Sequence, residues 1–172
     1  MIGRYILKKK FVVLIATAGF VVVLDFITKA YISSTMLLHE SFAVIGGFFN
    51  ITYIRNPGAA FGFLADAAPA FRSSFFLCVT LAVIIMILYY ISKSTMGELL
   101  ETFALSLIVS GAVGNLIDRV RFGEVVDFID VYIGSHHWPA FNVADSAISV
   151  GAVLLILQLL GQKKKQDSPA SV

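Results

Sequence analysis

The sequence predicts an all-α integral membrane protein with four transmembrane helices and a small β-structured region outside the membrane. Of its 172 residues, 58% are hydrophobic and only 14% are charged, and the mean hydropathy is +0.88. A soluble domain of this length carries about a quarter charged residues. The charges are also clumped, which leaves four apolar stretches that can each supply the roughly 20 helical residues needed to cross hydrocarbon.

The four predicted spans belong to one membrane domain that covers residues 1–161. The first span follows a basic segment, as a signal peptide would, but its apolar part is too long. Asp25 and Lys29 also stand where a small-residue cleavage site would be needed, so we interpret this span as a retained anchor. The polar, basic segment 162–172 is expected to be a disordered cytoplasmic tail. The spans cover residues 11–32, 71–91, 99–117 and 141–160.

The distribution of lysines predicts that both termini are cytoplasmic. Lysines at 8–10, 93 and 163–165 all fall on one side of a four-span chain, and that side should face the cytoplasm. Arg55, Arg119 and Arg121 lie on the other side, among acidic and structured neighbours. The net charge of +2 is too small to indicate nucleic acid, and the single Cys78 excludes an internal disulfide.

Two outer connections, residues 33–70 and 118–140, contain the predicted β-structure. Residues 42–54 form two β-prone runs around Gly46-Gly47, which predicts a hairpin. Residues 125–133 are rich in β-branched side chains and could add a strand. Residues 59–64 could form a short helix or an interfacial segment.

Polar side chains from three spans collect at one predicted level of the membrane, near its outer face. Each group has the three- or four-residue spacing that places side chains on one helical face. A structural interpretation remains open, in which the first-span residues form an intrahelical ion pair and Lys29 snorkels to the outer interface. The groups are Asp25 and Lys29, then Asn115, Asp118 and Arg119, and finally Asn142, Asp145 and Ser149, bordered by Ser146.

Asp145 is the strongest candidate for a catalytic residue. A carboxylate inside a membrane span is energetically costly, so its presence there indicates a functional site. Asp127 lies shortly before the fourth span and could approach it. Two neighbouring carboxylates share a proton, so one can activate water while the other donates to an amide, without a metal or a cofactor. Spacing alone leaves Asp118, Glu124 and Asp130 as rivals for the second carboxylate.

Other assignments are weaker. His136 and His137 have no third ligand at a metal spacing, and beside Trp138 they are expected to belong to the membrane interface. A small proton-coupled carrier would also use intramembrane carboxylates, and Glu101 near the inner end of the third span suits it. A non-enzymatic membrane scaffold is the remaining alternative.

Five sequence fragments resemble, in order, the bacterial lipoprotein signal peptidases, known as signal peptidase II. The resemblance covers nearly the whole chain. The fragments are Asp25-x-x-x-Lys29, Arg55-Asn-Pro-Gly-Ala-Ala-Phe, Gly111-Ala-Val-Gly-Asn-Leu-Ile-Asp-Arg, Val125-Val-Asp-Phe and Phe141-Asn-Val-Ala-Asp-Ser.

This resemblance implies that Asp127 and Asp145 are the catalytic pair. It implies an aspartic endopeptidase of the cytoplasmic membrane whose substrates are prolipoproteins with a diacylglyceryl-modified cysteine, cut on the amino side of that cysteine near the outer face. Globomycin would be an inhibitor, membrane lipids would be partners, and the chain is expected to be monomeric. The implied supporting residues are Asp25, Lys29, Asn56, Gly58, Asn115, Arg119 and Asn142.

One position departs from the family pattern. The family usually has glutamine directly after the first-span aspartate, and this chain has Phe26. If the amide supports the site in relatives, we expect this chain to replace it through Thr28 or through water.

Overall fold

The computed structural model describes residues 2–58, 64, 66–93 and 99–166. Its four long helices each contain a segment long and apolar enough to cross a membrane. The chain is therefore a multi-pass membrane protein, and the predicted four-span arrangement is confirmed. The helices are α1 (Ile2–Thr35), α2 (Pro69–Lys93), α3 (Leu99–Phe122) and α4 (Val143–Gln166).

The helices extend beyond the apolar segments by which they were predicted. The third helix continues to Phe122, so Asp118 and Arg119 are helical rather than part of a loop. It ends where Gly123 takes a φ of +76° and its amide donates to the Arg119 carbonyl at 2.9 Å, a C-terminal cap that requires a left-handed residue. The fourth helix reaches Gln166, past the predicted boundary at 161, and residues 167–172 lie outside the described residues.

One four-stranded antiparallel sheet lies at the end of the bundle where α1 ends and α4 begins, which we call the sheet end. The predicted hairpin is confirmed, with Gly47 at a φ of +80° in its turn, and so is the predicted strand at 125–133. The last strand is too short to be predicted. The short helix or interfacial segment predicted at 59–64, which the family resemblance implies to be a lid, lies outside the described residues except for residue 64. The strands, in spatial order, are β1 (Ser41–Ile45), β2 (Phe49–Asn56), β3 (Val125–Ile133) and β4 (His136–His137).

The third helix is the centre of the bundle. Within its apolar window 61% of the residues are buried, against 11–17% in the other three helices, which therefore present most of their side chains to lipid. Glycines let α4 approach α3 closely: a Cβ on Gly151 would lie 2.6 Å from the Ala104 carbonyl oxygen.

A small apolar cluster fixes the sheet to the end of α1. Ile32 of α1 packs with Tyr53 of β2 and with Val126 and Phe128 of β3, and each is less than a tenth exposed. Because side chains alternate along a strand, Val126 and Phe128 facing this cluster direct Asp127 to the opposite face. The fold therefore holds that aspartate over the helix ends.

Candidate active site

A cavity of about 740 Å³ opens at the sheet end between α2, α3, α4 and β3. Its polar part contains two carboxylates, Asp127 and Asp145. Within the described part of the chain these are the only acidic residues that line it. The other lining residues named as polar or site-supporting from the sequence are Asn56, Gly58, Asn115, Arg119, Ser146 and Ser149.

Asp127 lies on β3 and is only 2% exposed. Its Oδ1 accepts a hydrogen bond from Asn142 Nδ2 at 2.8 Å, and its Oδ2 accepts one from Asn56 Nδ2 at 2.9 Å. Burial and then the neighbouring charge of Asp145 raise the pKa of Asp127 to about 7, although these two hydrogen bonds and Lys29 oppose the rise. Asp127 therefore exchanges its proton near neutral pH.

Asp145 lies in the first turn of α4, where it forms a reciprocal capping box with Asn142. The Asp145 amide donates to Asn142 Oδ1 at 2.9 Å, and the Asn142 amide donates to Asp145 Oδ2 at 3.3 Å. Asn115 Nδ2 donates to Asp145 Oδ1 at 2.7 Å. The partial positive charge at a helix N-terminus favours a carboxylate at this position.

Asn142 connects the two aspartates through its side chain and its backbone amide. Its oxygen caps α4 through the Asp145 amide, while its nitrogen donates to Asp127 and, more weakly, to the Asn115 oxygen at 3.1 Å. Asn142 is fully buried, so solvent does not compete for these bonds. One amide thus fixes the helix carboxylate and the strand carboxylate relative to each other.

Lys29 lies behind the pair, and the predicted snorkelling to the interface is wrong. Its side chain is 4% exposed, and its Nζ lies 2.7 Å from Asp25 and 3.0 Å from Asp118. It also donates to Asn115 Oδ1 at 3.0 Å. Three acceptors inside the protein replace the water that a snorkelling lysine would seek, so the intrahelical ion pair is present but buried.

The two acidic partners of Lys29 also hold backbone groups of the site. Asp25 Oδ1 accepts the Ala144 amide at 2.9 Å, which satisfies a second free N–H in the first turn of α4. Asp118 Oδ2 accepts a hydrogen bond at 3.1 Å from the amide of Val126, the residue directly before Asp127. Lys29 is therefore the common partner of two carboxylates that position α4 and β3.

Arg119 and Asn56 organise the segment that follows β2. Arg119 Nη2 donates to the Gly58 carbonyl at 3.2 Å, and its guanidinium carbon lies 4.9 Å from the centroid of the Phe76 ring. Asn56 Oδ1 accepts the Gly58 amide at 3.0 Å. The guanidinium also interacts electrostatically with Asp145 and Asp127, so it places a positive charge beside the pair.

The rival carboxylates have other partners. Asp118 faces Lys29, and Asp130 lies on the opposite face of β3, where it contacts Asn50 and His137 at 2.8 Å. Glu124 does not line the cavity. His137 thus pairs with Asp130, and within the described ranges no group of three or more potential ligands could hold a metal ion.

Phe26 does not face the site. Asp25 is buried, while its neighbour Phe26 is 48% exposed on the outer surface of α1. The Thr28 hydroxyl donates to carbonyls of its own helix, Leu24 at 2.8 Å and Asp25 at 3.0 Å. The expectation that Thr28 replaces a missing amide is therefore wrong, because a side chain at position 26 points away from the carboxylates.

The remaining wall of the cavity is mostly apolar, and no pattern in the sequence indicates that these side chains share a site. α2, α3 and α4 each contribute, and aromatic residues from the β4–α4 connection close one side. A chain segment with apolar side chains could therefore lie between the helices while its backbone reaches the carboxylates. The apolar lining includes Phe76, Val79, Val83, Ile108, Ala112, Trp138, Phe141 and Ile148.

Fold and site together define a polytopic membrane protein with a paired-carboxylate cavity at one end of its helices. The chain belongs to the signal peptidase (SPase) II family, whose model matches residues 17–161. That family consists of peptidases, so this membrane protein is a hydrolase of the peptidase class.

Individual relatives agree with this assignment. The chain is 54% identical over 162 residues to a lipoprotein signal peptidase of Syntrophus aciditrophicus, covering 94% of this chain and all of the relative. It is 44% identical to one of Staphylococcus aureus, covering 89% and 93%. Among solved structures, a bacterial membrane enzyme determined by the in meso method at 2.3 Å superposes with a TM-score of 0.81 at 41% identity, covering 92% and 93%.

Proposed function

We propose that this chain is an aspartic endopeptidase that removes signal peptides from diacylglyceryl-modified prolipoproteins, on the amino side of the lipidated cysteine. The observation that carries the proposal is that Asp127 and Asp145, from different elements, line one cavity and are bridged by Asn142. The relatives named lipoprotein signal peptidases support the substrate class.

In the proposed reaction Asp145 is the general base and Asp127 the general acid. Asp145 takes a proton from water while the water oxygen bonds to the scissile carbonyl carbon, and Asp127 protonates the carbonyl oxygen. The C–N bond of the tetrahedral intermediate then breaks as the leaving nitrogen receives the proton held by Asp145. One hydroxyl of the intermediate returns its proton to Asp127, which leaves a carboxylic acid, a free amine and both aspartates in their starting states. A pKa of about 7 for Asp127 suits a proton donor that works near neutral pH.

The supporting residues have two kinds of role in this proposal. Asn56, Gly58 and Arg119 shape the polar wall that meets the peptide, with Arg119 beside the developing negative charge. Asp25, Lys29, Asn115 and Asn142 fix the carboxylates from behind. Because one chain supplies the whole polar wall, we expect the enzyme to act as a monomer.

We further propose that the sheet end lies at the outer face of the cytoplasmic membrane, with both termini inside. The lysines at 8–10 and Lys93 lie at the opposite end of the helices, as the positive-inside rule requires of cytoplasmic ends. A lipidated cysteine would then stay in the outer leaflet, which delivers its peptide bond at the level of the carboxylates.

The test is cleavage of a diacylglyceryl-modified prolipoprotein by purified protein in detergent with a metal chelator present. Asp127→Asn and Asp145→Asn should each abolish release of the signal peptide, measured by mass spectrometry. Asp130→Asn is the matched control, since it removes a buried carboxylate from the same strand outside the cavity.

Cleavage retained by either of the first two variants would refute the proposed pair. A proton-coupled carrier would give proton flux into liposomes and no cleavage. A scaffold would give neither.

A further inference from the structure

Two arginines at the sheet end are not used by the candidate active site. Arg55 of β2 and Arg121 of α3 both lie over the ring of Phe122, with guanidinium carbons 4.5 and 4.9 Å from its centroid. Arg121 also lies over Phe26 of α1 at 5.6 Å, and Arg55 Nε donates to the Tyr53 hydroxyl at 2.8 Å. We name these five residues the arginine–aromatic ladder.

The two cations of the ladder have no acidic partner in the part of the chain that the structure describes. Among the described residues neither Arg55 nor Arg121 forms an ion pair, whereas the buried Lys29 has two, and nearby Glu124 forms none. Stacking on a ring uses the flat face of a guanidinium and leaves its N–H edge available. Arg121 is exposed and makes no hydrogen bond to the described part of the chain, so its N–H donors remain available to a ligand.

The ladder lies on an apolar surface. Phe26 and Phe122 are each about half exposed, which is typical of side chains that contact lipid. Because α3 ends at Phe122, we expect the guanidinium groups to lie where the helix leaves the hydrocarbon and meets the phospholipid phosphates. Two neighbouring positive charges repel each other unless an anion lies between them.

We propose that the arginine–aromatic ladder binds the phosphate of an anionic phospholipid at the bilayer surface. Guanidinium edges match phosphate oxygens, and the exposed rings lie against the acyl chains of the same lipid. The inference explains why these arginines deviate from the charge rule that the lysines obey. It goes beyond the proposed peptidase function and does not depend on it.

The experiment is native mass spectrometry of the full chain, released from detergent with equal amounts of phosphatidylglycerol and phosphatidylcholine. We expect preferential retention of phosphatidylglycerol. Arg55→Gln and Arg121→Gln should each lower that retention about fivefold, the effect of one cation near a lipid surface. Lys93→Gln is the matched control. Lys93 also lies over an aromatic ring, 5.8 Å from the centroid of Tyr89, but at the end of the bundle away from the sheet end.

Two further arms separate charge, geometry and lipid. Arg55→Lys with Arg121→Lys keeps the charge and should retain less phosphatidylglycerol than wild type, because lysine lacks the planar fork. Glycerol 3-phosphate, the soluble headgroup alone, should not bind. Unchanged retention in the double glutamine variant, an equal loss in Lys93→Gln, or headgroup binding without lipid preference would overturn the proposal.

Discussion

Asn142 Nδ2 donates a hydrogen bond to Asp127 at 2.8 Å, and Asn142 Oδ1 caps the helix that carries Asp145. The capping residue of α4 therefore also holds the carboxylate on β3. A cap normally stabilises one helix. Here the same side chain sets the separation of two elements that are joined through a loop and a two-residue strand. Local helix stability and active-site geometry therefore depend on one amide.

Asn142→Ala should lower both stability and activity. Loss of the cap costs about 1 kcal/mol, and loss of the bridge displaces Asp127, for which we expect about a hundredfold slower cleavage. Thermal unfolding in detergent and the rate of signal-peptide release measure the two effects. Ser146→Ala is the control, because its hydroxyl lines the same cavity but among the described residues donates to the Asn142 carbonyl and to neither carboxylate. It should stay within about threefold of wild type. Equal rates for both variants would contradict the bridging role.

Cleavage should slow as the pH rises through about 7, because the raised pKa means that Asp127 loses the donated proton there. Asn56→Ala removes a hydrogen bond that favours the carboxylate form, so it should move this decline to higher pH. The measurement is kcat/KM against pH in a common buffer series. Asn50→Ala removes a similar amide–carboxylate bond, to Asp130 at 2.8 Å outside the cavity, and should leave the profile in place. A shift to lower pH in Asn56→Ala would contradict the assignment.

Lys29→Met should destabilise the protein strongly, because it leaves two buried carboxylates without their cation. Breaking a buried ion pair in this way costs about 3–5 kcal/mol, so we expect a large fall in the unfolding temperature in detergent. Adding Asp25→Asn and Asp118→Asn should recover part of the loss, since neutral side chains tolerate the apolar neighbour. Lys93→Met, at an exposed end of α2, should be neutral. A mild effect of Lys29→Met would show that the ion pairs are dispensable.

Gly114→Ala should disturb the site through steric contact. A Cβ there would lie 2.7 Å from Asp25 Oδ2 and 3.2 Å from Ala144 Cβ, so α1 or α4 must shift. Overpacking of this kind costs about 1–3 kcal/mol, and the shift should slow cleavage as well. Gly19→Ala is the control in a spanning helix, because a Cβ there meets nothing within 4 Å. Unfolding temperatures and cleavage rates that match in the two variants would argue against close packing at Gly114.

Cysteine labelling tests the proposed orientation. In a Cys78→Ser background, a cysteine at Ser135 between β3 and β4 should react with an impermeant maleimide in intact cells. A cysteine at Gln162, near the far end of α4, should react only after permeabilisation. The opposite pattern would invert the proposed orientation and remove the cavity from an outer-leaflet substrate.

The sequence predicted the elements better than the contacts between them. The four spans follow from the length of the apolar stretches, the hairpin from two β-prone runs around Gly46-Gly47, and the strand at 125–133 from its β-branched residues. The third span was predicted to end at 117, but the helix continues to Phe122. Hydropathy detects only the apolar segment, whereas hydrogen bonding and a glycine cap determine where the helix ends. The two-residue β4 has no detectable period.

Contacts between residues far apart in the chain could not be predicted from the sequence. Lys29 looked like an interfacial lysine because its second acidic partner, Asp118, comes from a different helix 89 positions away in the chain. The Asn-x-x-Asp spacing of Asn142 and Asp145 is a capping-box pattern that could have been recognised. Nothing in the order of residues indicates that Asp25 contacts the Ala144 amide, because that contact depends on how close α1 and α4 pack.

The meeting of α1, α3 and the start of α4 around one buried ammonium has a consequence for biosynthesis. α1 leaves the ribosome first and α4 last, so Asp25 and Lys29 can pair with each other before Asp118 and the Ala144 amide have been synthesised. A chain halted before its final span carries Asp127 without Asn142 to hold it. The enzyme would therefore become active only when insertion is complete. Until then it could not cleave the translocation machinery or neighbouring nascent chains.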